Sequence, residues 1–132
     1  MGNTLLALWI ALFGYSVSNS QVVTTEYENV ELAIKREFGS EWCLMESIFR
    51  AESGLVPRKE GDNGNSIGVS QINIPAHGGK IPGKTIDEKK EWLKNFQNNL
   101  KLGKKIRDKS GLNAWTAYWN GNYLYFYNKN CR

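Results

Sequence analysis

A mainly α-helical domain with a long loop or small hairpin in its middle is the fold class predicted by this sequence, on three observations. Apolar residues recur at helical spacing up to Gly54 and again after Thr85. The stretch between them, Leu55 to Lys84, is rich in Gly, Asn, Pro and Ser and carries only short apolar pieces around Ile67 to Ile74. The chain has 132 residues, 41% of them hydrophobic, which suits one modest core and one domain.

Residues 1–20 contain no charged side chain and hold an uninterrupted apolar run from Leu5 to Phe13. That run has the length of a signal-peptide core and is short of the roughly 20 residues a spanning helix needs. Ser16 and Ser18 fit the small positions ahead of a cleavage site between Ser18 and Gln21. The segment lacks the usual leading Lys or Arg, so an uncleaved anchor over residues 5–18 and a buried helix stand as alternatives. The folded domain is then expected over residues 21–132.

Val30, Ala33, Ile34 and Phe38 are spaced as one helical face, which Gly39 ends. Ser40 reads as the N-cap of a second helix, whose stripe of Trp42, Met45, Ile48 and Phe49 runs to Gly54 and Pro57. Glu41 and Glu46 fall off that stripe and read as surface charges. Thr85 followed by Glu88 is a capping-box pattern. It opens a segment in which Trp92, Phe96, Leu100, Gly103 and Ile106 keep to one side, with Asn95 as a cap inside it. After Gly111 a last helix is expected from Asn113 through Trp115 and Tyr118 to Gly121.

The formal net charge is +4, with Lys and Arg concentrated between Lys80 and Lys109 and acids dominating from Glu26 to Asp62. Nucleic acid, an anionic cell wall and a solvated helix face without a partner all fit that basic stretch. The export segment weighs against a nucleic-acid partner. Two cysteines, Cys43 and Cys131, remain after any cleavage; in an exported chain they favour one disulfide, with two buried thiols as the alternative. With those and the lone His77, no zinc site of ordinary composition can be assembled, so no metal and no cofactor are expected. His77 itself sits in a Pro-Ala-His-Gly-Gly loop, where an imidazole more often fixes a turn.

Glu52 stands apart among the carboxylates. It lies three residues from Phe49, four from Ile48 and seven from Met45, so a helix reaching it turns its carboxyl toward the core. Loss of solvent disfavours the anion, and such a group can keep its proton near neutral pH and deliver it to a leaving oxygen. A cap carboxylate or a helix-end residue reaching water is the alternative.

The residues around and after Glu52 form an ordered set: Glu52-Ser53-Gly54, Gly68-Val69-Ser70-Gln71-Ile72, Asn99-Leu100 with Gly103, and Trp115-Thr116-Ala117-Tyr118. Together they resemble the successive motifs of the soluble lytic transglycosylase domain, in the superfamily that also holds goose-type and phage lysozymes. The resemblance covers about residues 41–123. It implies a lysozyme-like α+β fold around a substrate cleft. It also implies cleavage of the bond between N-acetylmuramic acid and N-acetylglucosamine in peptidoglycan, with Glu52 as acid and then base. Gln71 takes the place of the family's groove-lining glutamine, Tyr118 that of the tyrosine directed at the acid, and Ser66 and Asn73 join them as substrate-binding candidates. Gln71 read without the family is a loop-stabilising amide, and Tyr118 an ordinary core aromatic. The chain departs from the pattern at Trp119, where the family has Asn, and at Val69 and Ser70 before the glutamine; Ser66 lies further from Glu52 than is typical.

A glycosidase with two carboxylates needs the second about 5 to 9.5 Å from the first. Glu60 and Asp62, in the loop after Glu52, are the nearest candidates in sequence, Asp62 being the stronger, although a solvated loop charge is the commoner role. Family members that form a 1,6-anhydro product use the substrate's own groups as nucleophile, and that outcome is expected ahead of hydrolysis. A non-catalytic wall-binding module is the competing function. The expected partners are peptidoglycan strands and a secretion or phage assembly apparatus, with the protein a monomer.

Overall fold

The structure, a computed structural model, describes residues 26–131; the apolar run read as an export signal or anchor lies outside the described residues. Helix α1 spans 26–38, and Val30, Ala33, Ile34 and Phe38 are buried as their spacing requires. Gly39 turns the chain out of the helix at φ +55°, a left-handed conformation that favours glycine. Helix α2 follows at Trp42–Ser53 and ends where the Gly54 N–H donates to the Arg50 carbonyl (2.9 Å). Ser40 does not cap α2. It lies inside the 3-10 turn Gly39–Glu41, and no side chain caps the helix that follows.

Glu46 is not a surface charge. It is 5% exposed, at the margin of the α2 stripe where α1 closes over it. Arg50 stands between it (3.6 Å) and Glu31 of α1 (3.8 Å). Burial pushes the Glu46 carboxyl up to about 7; the neighbouring Glu31 adds to this, while Arg50 and Lys35 oppose it. Glu41 is half-buried and paired with Arg107 at 2.8 Å.

The central loop contains a small antiparallel meander of β1 (Glu60–Gly61), β2 (Ser66–Ile67) and β3 (Ile72–Asn73), in that spatial order. Its register sets Ser66 between Gly61 and Asn73. Asn73 then caps the short helix α3 (Ile74–His77), accepting from the Ala76 N–H at 3.0 Å. Helix α4 (Ile86–Lys94) begins at Thr85, whose hydroxyl accepts from the Glu88 N–H (3.1 Å). The reciprocal bond of a capping box is displaced by one residue, since the Glu88 carboxylate accepts from the Lys84 N–H (2.7 Å). Asn95 caps α5 (Phe96–Ser110) through the Asn98 N–H at 3.0 Å. Leu93, Leu100, Gly103 and Ile106 are buried, with Trp92 and Phe96 packed at the edge.

The single helix expected over residues 113–121 is broken. A 3-10 turn at Leu112–Ala114 leads to an extended Trp115 (ψ 124°), then to α6 (Thr116–Trp119). The tertiary environment overrides local helicity here: the Trp115 ring packs on Phe49 (5.7 Å between centroids), and its buried indole N–H donates to the Ser70 carbonyl (2.8 Å). Gly121 (φ +82°) turns the chain into a further helix, α7 (Leu124–Asn130), which packs on α2. Cys43 and Cys131 form a disulfide that fastens this end of the chain to α2. The observed architecture is thus mainly helical, with one three-stranded sheet between α2 and α4.

Glu46 gives the fold a pH dependence of definite sign. Its folded carboxyl titrates near 7 against an ordinary value of 4.5, so its contribution is fully present below pH 4.5 and lost as pH rises through 7. Glu46→Gln is expected to stabilise the protein at pH 8 by on the order of 1–2 kcal/mol and to leave it unchanged at pH 4, as read from thermal melts at the two pH values.

Candidate active site

The site is built around the turn between β2 and β3. Asn99 projects from α5 with no solvent exposure, and each of its four hydrogen-bonding positions is filled. Its carbonyl oxygen accepts from the Ser70 N–H (2.9 Å) and the Ser70 hydroxyl (2.6 Å). Its amide donates to the carbonyls of Ile67 (2.9 Å) and Leu93 (3.0 Å). Gly68 has φ +85° and faces this amide so closely that any side chain would overlap Asn99 and the Leu93 carbonyl. Gly103, one turn along α5, leaves room for the Ser70 hydroxyl, which a Cβ there would approach to 3.2 Å.

Two further bonds fasten the same turn. The Ser53 hydroxyl of α2 donates to the Val69 carbonyl (2.6 Å) and accepts from the Leu55 N–H (3.1 Å). Trp115 donates to the Ser70 carbonyl, as above. The segments carrying Ser53, Val69 and Ser70, Asn99 and Trp115 are therefore one hydrogen-bonded unit, although they are far apart in sequence.

Glu52 sits at the edge of this unit, half-buried in the last turn of α2. Its Oε1 accepts from the Ala117 N–H of α6 at 2.9 Å. Burial raises its carboxyl above the ordinary value; the Ala117 N–H pulls the other way, and the charge of Asp62 adds to the rise. In the acid form an oxygen that accepts an N–H is the carbonyl oxygen, so the proton resides on Oε2. Among the described residues no donor reaches Oε2. In such an arrangement the backbone contact selects which oxygen can release a proton.

Asp62 is exposed, and with Asn63 it adopts left-handed backbone at φ +52° and +57°. Its Oδ2 accepts from the Ser66 hydroxyl (2.5 Å), and Ser66 in turn accepts from the Asn73 amide (3.3 Å). Ser66 and Asn73 thus converge on Asp62. Glu60 points elsewhere: Lys90 (3.0 Å) and Lys94 (3.1 Å) bind it and hold its carboxyl below the ordinary value. Gln71, also left-handed at φ +52°, uses its amide on the carbonyls of Gly68 (3.0 Å) and Lys59 (3.2 Å). Its amide oxygen fills the place a side chain would need at Gly61, so Gln71 braces the turn. Tyr118 is half-buried and begins an aromatic row, 5.2 Å from Tyr123, which is 6.1 Å from Tyr127. Trp119 is 64% exposed.

Among the described residues the non-glycine positions with positive φ are Leu55, Asp62, Asn63 and Gln71, all in the loop that follows Glu52. Strain of this kind persists where the surroundings over-determine it, and here the hydrogen bonds to Asp62 and Gln71 do so. The described residues contain no group of three His, Cys, Asp or Glu side chains able to hold a metal ion. No family model matches the chain, and neither the curated proteins nor the solved structures contain a significant match.

Sequence reasoning passed over the side chain of Asn99 and the Ala117 N–H. The first left a signal, a polar residue three positions from Phe96 and four from Gly103 on an otherwise apolar helical stripe. The second left none, because a backbone donor has no residue identity. Replacing Asn99 by Leu keeps the size of the side chain and strands the Ser70 N–H with two carbonyls. The expected loss is about 3 kcal/mol or more, measured as a fall in the denaturant midpoint.

Proposed function

We propose that this protein is an exported glycosidase that cleaves the β-1,4 bond between N-acetylmuramic acid and N-acetylglucosamine in peptidoglycan, with Glu52 as the general acid. The observation that carries the reading is the Glu52 carboxyl itself, held by the Ala117 N–H and raised by burial at the point where the segments of the ordered motif set meet. Proton transfer from Oε2 to the glycosidic oxygen is the step such a group serves. The mainly helical fold with its small sheet is compatible with a lysozyme-like arrangement, in which the glycan lies in a cleft beside Glu52. In this reading Tyr118 and the Gln71 turn border the sugars, and the strong bracing of that turn keeps the border rigid.

Export is supported by the Cys43–Cys131 disulfide, a bond that persists in oxidising compartments. Among the described residues no helix is long and apolar enough to cross a membrane. The partner is the glycan strand, and a secretion or phage assembly apparatus is the setting in which a small monomeric wall-cutting domain has use. A binding module without turnover would need the border of the glycan site and not a raised acid, so the state of Glu52 favours the enzyme.

On purified peptidoglycan Glu52→Gln is expected to clear at least about 100-fold more slowly than the wild type while keeping its melting temperature. Equal clearing by the two proteins would sink the assignment. The acid form of Glu52 is the active one, so the wild-type rate is expected to fall as pH rises through a value above the ordinary carboxylate range, as a rate profile against pH would register.

A further inference from the structure

Resting on that reading, we infer that Trp115 is a positioning residue for Glu52: its bond to the Ser70 carbonyl interrupts the chain's helix at the place that leaves the Ala117 N–H for the acid.

The spacing of residues 113–121 asks for one continuous helix. In such a helix each N–H donates four residues back, and the Ala117 N–H would be used on the Asn113 carbonyl. Instead Trp115 is extended, at φ −111° and ψ 124°, and α6 begins after it. The N–H groups of Tyr118 and Asn120 find the carbonyls of Trp115 (3.1 Å) and Thr116 (3.0 Å), and the Ala117 N–H turns to Oε1 of Glu52 (2.9 Å). The Ala117 carbonyl accepts from the Tyr123 N–H (3.1 Å), so this residue is held at both of its polar groups.

The side chain of Trp115 keeps that interruption in place. Its ring packs on Phe49, and its indole N–H donates to the Ser70 carbonyl (2.8 Å). That carbonyl cannot turn away, because the Ser70 N–H and hydroxyl are both bound to Asn99. Packing fills space without choosing a direction, whereas the hydrogen bond is directional and fixes the indole relative to the backbone. At 4% exposure Trp115 is too buried to meet substrate and acts through the Ala117 N–H alone.

That N–H selects the oxygen that keeps the proton and opposes the effect of burial on the carboxyl. Of the charged groups on the surrounding elements, Asp62 adds its field from the loop after α2. The Gly68–Ser70 turn brings none, and α6 brings only the Tyr118 phenol. On α7 are the phenols of Tyr125 and Tyr127 and the ammonium of Lys129, which lies over the Tyr125 ring (6.0 Å). Arg50 of α2 is turned to Glu46 and to Glu31 of α1.

The test removes the indole donor and follows the acid. Trp115→Phe deletes the donor with part of the ring; sulfur in place of the residue 115 indole N–H, as in benzothienylalanine, deletes it and keeps the ring's size. Phe38→Leu is the control, loosening the core on the far side of Phe49. Peptidoglycan clearing is measured against pH, and the Ala117 amide is titrated by NMR. In the wild type that amide is expected to respond as Glu52 ionises. In both donorless variants the response is expected to disappear, turnover to fall about 10-fold, and the alkaline limb of the rate profile to move to higher pH, since the N–H no longer favours the anion. Phe38→Leu is expected to lower the melting temperature and leave the limb in place. An unresponsive wild-type amide, a donorless protein with the wild-type limb and amide response, or an equal displacement in Phe38→Leu would overturn the role of Trp115. Absence of any cleavage by the wild type would overturn the enzyme reading alone, and the amide titration would still decide whether Trp115 positions Glu52.

Discussion

The side chain of Asn99 is the constraint on which the rest of the structure depends. By filling all four of its hydrogen-bonding positions inside the core, it fixes the turn through Gly68 and Ser70 relative to α4 and α5. The Ser70 carbonyl, so placed, receives the indole of Trp115. Trp115 is drawn out of helical conformation, and α6 starts one residue later with the Ala117 N–H directed at Glu52. A buried amide on one helix thereby determines the partner of a carboxyl on another. Apolar packing supports the same geometry, since Phe49 of α2 meets Phe38 on one side (5.5 Å) and Trp115 on the other (5.7 Å).

The two acids with raised carboxyls show why titration alone does not mark a site. Glu46 is pushed up to about 7, yet it is closed between α1 and α2 beside Arg50 and Glu31. Nothing can be handed a proton there. Glu52 combines burial with an opposing backbone donor and a free oxygen, and only the second arrangement lets a proton leave in a fixed direction.

The helices α1, α2, α4 and α5 were legible from sequence because each buries a stripe at helical spacing, and Thr85 and Asn95 mark starts through caps that need only local geometry. The Cys43–Cys131 pair was legible from the even count of cysteines only when joined to the reading of an export segment. What could not be read depends on contacts far along the chain. Ser40 has the chemistry of a cap but falls within a tight turn. Glu46 is buried by a neighbouring helix and not by its own stripe. The helix expected over 113–121 yields to one indole hydrogen bond, and α7, whose residues show no fully buried stripe, gave no periodic signal. Among the candidate site residues, Glu52 was legible as a core-facing carboxyl, whereas the Asp62, Ser66 and Asn73 cluster arises from strand register, which two-residue strands do not announce.

The disulfide has a topological consequence. Glu52, Asp62, Ser66, Gln71, Asn73, Asn99, Trp115 and Tyr118 all lie between Cys43 and Cys131, so every one of them belongs to a single covalent ring. A proteolytic nick in the exposed loop around Pro82 to Thr85 opens that ring without splitting the molecule. The α2 side and the α5 side would stay tethered through the sulfur bridge and be held in register by the Asn99 and Trp115 bonds. One bridge placed at the two margins of the site thus guards the whole of it against such a cut.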